Sequence, residues 1–122
     1  MSLFNTIKLN GKEWTHDINW RLNDDKKCDS GRLYSFEAAR TNCPQGWHLP
    51  TKEEWESILL WDLKEFEPKL NGLYCCGHYA DSGKRAYYWT AEGDIMNFGD
   101  KWGVRSALPL SYCQVRYVKN VD

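Results

Sequence analysis

The sequence predicts an α+β fold, with two short helices packed on a small twisted antiparallel sheet and joined by long loops. Three observations carry this expectation. A hairpin signal opens the chain, two capped helix signals follow between Ser35 and Phe66, and the segments after residue 86 are aromatic or alternating. Helices that come early, before most strands, point to α+β rather than to alternating parallel units.

The elements follow in order. Ile7 and Leu9 alternate ahead of Asn10-Gly11, a strong two-residue turn, and Trp14 lies on the return strand. Residues 23–31 are charged and turn-rich, which predicts an exposed loop. Ser35 caps the first helix and places Phe36, Ala39 and Cys43 on one face before Pro44 stops it. Thr51 starts the second, with Glu54 completing a capping box. Trp55, Ile58, Leu59, Leu63 and Phe66 then recur at helical spacing until Pro68 and Asn71-Gly72. Residues 86–91 read as an aromatic strand and 102–107 as a less regular one. Residues 112–119 alternate, with Cys113, Val115 and Tyr117 on one face and Gln114 and Arg116 on the other. Pairing of the first and last strands would bring the termini together. No repeat or linker divides the chain, so one domain over residues 1–122 is expected.

Seven Trp and seven Tyr supply large rings for a core, and the same rings suit binding surfaces. The 16 basic and 17 acidic residues are mixed along the chain. They form no basic stripe to neutralise phosphates, so a nucleic-acid partner is not expected. No window approaches the roughly 18 apolar residues of a membrane span. The N-terminus lacks the basic and apolar regions of a leader, and a removed signal peptide would leave the same start. Cys28, Cys43, Cys75, Cys76 and Cys113 include no Cys-x2-Cys pair. That disfavours zinc and favours an oxidising compartment with disulfides. The odd count leaves at least one thiol free or paired to another chain, and spacing does not assign the bridges.

Several segments look familiar in order. They are Ile7-Lys8-Leu9-Asn10-Gly11-Lys12-Glu13-Trp14, the run from Cys28 through Tyr34-Ser35-Phe36 to Ala39, and Asn42-Cys43-Pro44-Gln45-Gly46-Trp47-His48-Leu49-Pro50-Thr51 with Glu54-Trp55. Tyr88-Trp89-Thr90-Ala91-Glu92 and Val115-Arg116-Tyr117-Val118-Lys119 follow. Together they resemble the Fibrobacter succinogenes major paralogous domain family, and the segment through Thr51 is similar to its most specific signature. The resemblance implies a C-type-lectin-like fold in an exported or cell-surface bacterial protein with no established activity. In that family the final strand usually carries Cys where this chain has Tyr117, and here Cys113 stands four residues earlier. Four strand residues span about 13 Å, whereas a disulfide needs Cα atoms within about 7 Å. Cys113 therefore does not simply replace that partner of Cys43. A local shift of helix against strand restores the bridge, or Cys113 pairs with Cys75 or Cys76, which stand where the family tends to have a Pro/Gly turn.

The segment from His48 to Trp55 also resembles part of the formylglycine-generating enzyme family. That implies a thiol-dependent enzyme using Cys75, Cys76 or Cys113, with a depressed thiol pKa in an open cleft. The chain falls well short of such an enzyme's length, and its late metal and thiol motifs are not recognisable. The plainer reading is a capped helix whose Trp packs in the core. Calcium-dependent sugar sites resemble Glu-Pro-Asn or Gln-Pro-Asp followed by Trp-Asn-Asp. Glu67-Pro68-Lys69 instead puts a cation where an oxygen ligand is needed. Glu92, Asp94 and Asp100 read as a solvated loop, so no metal or other cofactor is expected. His16 and His78 have no triad partners, and no phosphate loop or nucleophile elbow is present. Catalysis is not expected.

Residues 92–109 are the expected binding loop. They hold Asp94, Asn97, Phe98, Asp100, Lys101, Trp102 and Arg105 among glycines. Trp and Arg are frequent binding anchors, and loops on a rigid scaffold are where binding usually sits. Asn97, Asp100, Lys101 and Arg105 are expected to be exposed, while Trp102 and Phe98 either present their rings or plug the core. Tyr79 and Asp81 extend the same face. Cys43, Cys113, Trp47, His48, Trp55 and Trp89 are expected to be structural. The function expected is non-catalytic extracellular recognition of a protein or glycan, or else an adhesin building block without its own ligand. A resemblance to the variable display proteins of diversity-generating retroelements favours the same segment and implies a protein partner.

Overall fold

A computed structural model describes residues 6–9, 11–21, 25–28, 31–58, 63–99, 102–107 and 110–120. It consists mostly of antiparallel sheets with a few short helices. The opening hairpin joins β1 (Thr6–Leu9) to β2 (Lys12–Thr15), with Ile7 opposite Trp14. Gly11 has φ +76°, a value that this tight turn requires and glycine supplies without strain. The last strand, β11 (Val118–Asn120), joins the same sheet. Its neighbour is β2, with Val118 opposite Trp14, rather than the first strand.

Part of the expected loop at 23–31 is instead a strand. Asp25–Cys28 forms β3 and pairs with β4 (Gly31–Ser35). β3 is the edge of a five-stranded sheet, and charged residues suit an edge because they discourage pairing with another chain. Its charge is what made it read as a loop. Ser35 caps α1 (Phe36–Thr41) by accepting from the Ala38 N–H, and Ala39 is buried. Thr51 caps α2 (Lys52–Glu56) through a complete capping box. The expected single helix from Thr51 to Phe66 is not continuous. α2 stops at Ser57, whose hydroxyl donates to the Glu54 carbonyl at 2.6 Å, and α3 spans Leu63–Phe66. Trp55, Ile58 and Phe66 still share one buried cluster, so the apolar spacing reported a common destination.

Strands β5 (Leu73–Cys75) and β6 (His78–Ala80) form a hairpin at the other side of the five-stranded sheet, whose order is β3-β4-β10-β5-β6 with β10 spanning Tyr112–Cys113. A separate sheet is built from β7 (Ala86–Trp89), β8 (Ile95–Phe98) and β9 (Gly103–Arg105). The strand expected over 112–119 is divided, because its parts serve different sheets. Tyr112–Cys113 is β10 in the five-stranded sheet, Gln114 bridges Tyr88 of β7, and Val118 begins β11. Cys113, Val115 and Tyr117 do share a face, in one core cluster with Tyr34, Tyr87 and Trp89. Gln114 and Arg116 are also buried. They hydrogen-bond Asp17 on the side of a second cluster, which contains Trp14, Trp55, Phe66, Tyr88 and Phe98.

Candidate functional site

The expected binding loop at 92–109 contains the fully buried strand β8. Asn97 is 5% exposed and Phe98 1%, so the expectation that Asn97 faces solvent is corrected. The cause is position: β8 is the central strand of its sheet and has a core cluster on either side. Asp100, Lys101 and Pro109 lie outside the described residues. Trp102 is 37% exposed and sets its ring edge against Phe98, centroids 5.1 Å apart. Arg105 is exposed, donates to the Tyr87 hydroxyl at 2.9 Å and stacks over that ring. Register divides this pair. Arg105 shares a face with Ile95, whereas the Phe98 that Trp102 touches shares the opposite face with Ala86. Asp94 is half-buried, its N–H bound to the Thr90 hydroxyl. Tyr79 is exposed on β6 with its edge against Tyr74. Asp81 accepts from the Tyr87 hydroxyl.

A tighter convergence lies at the start of α2. The capping box turns the Glu54 carboxylate back toward Thr51, whose N–H donates to it at 2.9 Å. The same carboxylate accepts from His48 Nε2 at 2.9 and 3.0 Å and from Lys12 Nζ at 3.1 Å. Lys12 begins β2 just beyond the hairpin turn and also donates to Asn120 Oδ1 of β11 at 2.5 Å. His48 is fixed by its own backbone, which exchanges two 2.9 Å hydrogen bonds with Val118. Its side chain remains 45% exposed. Burial pushes the Glu54 carboxyl up, but the bonds from Thr51, His48 and Lys12 outweigh it and hold the group below the usual carboxylate range. Its ionised form therefore stabilises the fold fully above the ordinary value of 4.5, and that contribution fades as pH falls through the lower folded value. Glu54→Gln keeps a capping-box residue and removes the charge. It is expected to cost about 1 kcal/mol at neutral pH, a modest figure because the partners are partly exposed. Urea titrations should show the gap to wild type closing in acid; a gap that persists there contradicts the assignment.

Two open clefts flank His48. One of ≈ 430 Å³ is lined by Lys12, Thr51, Glu53, Glu54, Ser57 and Asn120. The other, of ≈ 460 Å³, is lined by Arg40, Cys43, Trp47, Leu49 and Ala91, and His48 and Thr51 border both. Lys119 Nζ sits 4.8 Å from the centre of the half-buried Trp47 ring. A polar cleft with donors and acceptors thus adjoins an apolar one with a cation at its rim. Lys12, Arg40 and Asn120 were not singled out in the sequence. Lys12 and Asn120 face each other only because β11 pairs with β2, and neither has a local motif.

The cysteines differ from the expected framework. Cys43, Cys76 and Cys113 are free thiols, and the side chain of Cys28 lies outside the described residues. Tyr117 fills the place where the resemblance implied a cysteine. It is buried, and its hydroxyl donates to the Ala39 carbonyl at 2.7 Å, tying α1 to the end of the chain. Cys43 donates instead to the Trp47 carbonyl at 3.1 Å. Burial pushes its thiol up to about 11 and raises the fully buried Cys113 further. Trp55 and Trp89 are core residues, their indole N–H groups donating to the carbonyls of Trp89 and Tyr34. No helix among the described residues is long and apolar enough to cross a membrane.

Neither the curated proteins nor the solved structures hold a match to this chain. A family model does match. It covers residues 4–67, a little over half the chain, including His48, Glu54 and Lys12 but none of the 92–109 segment. On that match, and on the ordered motifs it spans, the chain belongs to the Fibrobacter succinogenes major domain family.

Proposed function

We propose that this chain is a non-catalytic recognition module, C-type-lectin-like in architecture and exported to the cell surface, which binds a glycan at the paired clefts around His48. The observation that carries the reading is the meeting of a polar and an apolar cleft along His48 and Thr51. A sugar ring presents hydroxyls that need donors and acceptors, and a C–H face that needs an apolar or aromatic surface. Lys12, Ser57 and Asn120 provide the first, and Trp47 with Leu49 the second. These groups sit on caps and paired strands, so little ordering is left to be done on binding.

Two features support a non-catalytic role. The Ser57 hydroxyl is committed to the Glu54 carbonyl, so it is not set up as a nucleophile beside His48. Burial raises the Cys43 and Cys113 thiols, opposite to what a nucleophilic thiol requires.

A glycan array read with three proteins tests the proposal. Lys12→Ala combined with Arg40→Ala is expected to weaken binding about tenfold or more, the scale of one lost charged hydrogen bond. Trp102→Ala with Arg105→Ala is expected to leave it unchanged. The reverse pattern moves the site to residues 92–109. Absence of glycan binding by the wild-type chain overturns the glycan reading and leaves a protein ligand or a building-block role.

A further inference from the structure

Lys12 and Asn120 stand directly opposite each other on the antiparallel strands β2 and β11, 108 residues apart in sequence. Lys12 Nζ donates to Asn120 Oδ1 at 2.5 Å and lies 3.1 Å from Glu54 Oε2. An amide C=O of about 1.23 Å therefore puts the Asn120 Cγ no more than about 3.7 Å from Nζ. That is close to the separation of about 3–3.5 Å from which a nucleophile attacks. Asn120 is exposed, so its carboxamide can turn its face to the amine without disturbing the core. An amine held between a carboxamide and a carboxylate brings together a nucleophile, an acyl group and a proton carrier.

We propose that Lys12 and Asn120 join in an intramolecular isopeptide bond, with Glu54 carrying the proton. The capping box and His48 hold the Glu54 carboxylate in place for this step. The reaction balances without an oxidant, a metal or a second substrate. Lys12 gives one proton to Glu54, and its Nζ attacks Asn120 Cγ to form the new amide. The Cγ–Nδ2 bond breaks. Of the three protons of the Lys12 ammonium, one stays on the amide nitrogen. The other two leave with Nδ2, which departs as ammonium, and Glu54 ends as the carboxylate it began as.

The bond would close a loop that takes in most of the chain, and such a link removes much of the freedom of the unfolded state. Tension applied across residues 12 and 120 would pass through the bond and bypass the fold between them.

The test follows the full chain after refolding, by intact-mass spectrometry and peptide mapping. Wild type is expected to lose the mass of one ammonia and to yield a branched peptide joining residues 12 and 120. Asn120→Ala should keep its full mass. Glu54→Gln should slow the loss about 100-fold or more, the scale of one general acid–base group. The linked chain should melt on the order of 10–20 °C above Asn120→Ala, as expected for so long a loop. Four results overturn the proposal: wild type staying at full mass, the loss mapping to another amide such as Asn10, its persistence in Asn120→Ala, or an unslowed rate in Glu54→Gln. Equal melts overturn the clamp. The Glu54→Gln titration and the glycan array above use freshly refolded chain at full mass, in which Lys12 keeps its charge. The mass readout needs no glycan, so either proposal can fail without the other.

Discussion

Asp17→Ala is expected to destabilise the fold by about 3 kcal/mol, the lower end of the range for breaking a buried ion pair. The Asp17 carboxylate accepts from Arg116 Nε at 2.6 Å, from the Tyr88 hydroxyl at 2.7 Å and from Gln114 Nε2 at 2.7 Å. Arg116 is 1% exposed, so its guanidinium would be stranded. It would keep the Glu67 carbonyl and its stacking over Phe66, but neither carries a full negative charge. The lower end applies because the edge of Asp17 reaches solvent. Burial, then the Asp17 charge, push the Tyr88 phenol well above its ordinary value, so it stays a donor in this network. Urea unfolding at constant m-value measures the loss. Adding Arg116→Met should recover much of it, because the second change removes the stranded charge. A double variant no more stable than Asp17→Ala would mean that the loss has another origin.

Trp55→Ala should cost about 3–5 kcal/mol, the usual range for truncating a buried Trp. Trp55 is fully buried and meets four rings, with centroids 5.0 Å away for Tyr88, 5.2 Å for Trp14, 5.6 Å for Phe66 and 5.8 Å for Phe98. These neighbours belong to β7, β2, α3 and β8, so local relaxation does not close the cavity. The Trp89 carbonyl also loses the indole donor. At about 4 °C per kcal/mol for a chain of this length, Tm should fall on the order of 12–20 °C. A fall of only a few degrees would show that the cluster collapses into the space.

Both predictions concern residues whose weight was unevenly legible in the sequence. Trp55 stood out because it sits four residues after a capping threonine in an apolar helical pattern. Asp17 carried no local signal, since its partners lie 71 to 99 residues away. The candidate site divides in the same way. Thr51, Glu54 and His48 fall in one recognisable stretch, while Lys12 and Asn120 are joined across 108 residues. The polar and aromatic residues at 92–109 suggested a loop, yet 95–98 form a central strand. Composition does not reveal that a short segment is covered on both faces.

Local features were readable from the residues alone: the Asn10-Gly11 hairpin, both helix caps, the alternation from Cys113 to Tyr117 and the family motifs. Each depends on backbone geometry or periodicity within a few residues. The folded arrangement decided the rest. It broke the final strand because three sheets needed parts of it, left Cys43, Cys76 and Cys113 unbridged with Tyr117 in a cysteine's expected place, and set Trp102 and Arg105 apart on opposite faces. It also brought Lys12 and Asn120 together beside the His48–Glu54 pair. Those outcomes depend on which strands pair, and strand pairing is settled by long-range packing that no local window contains.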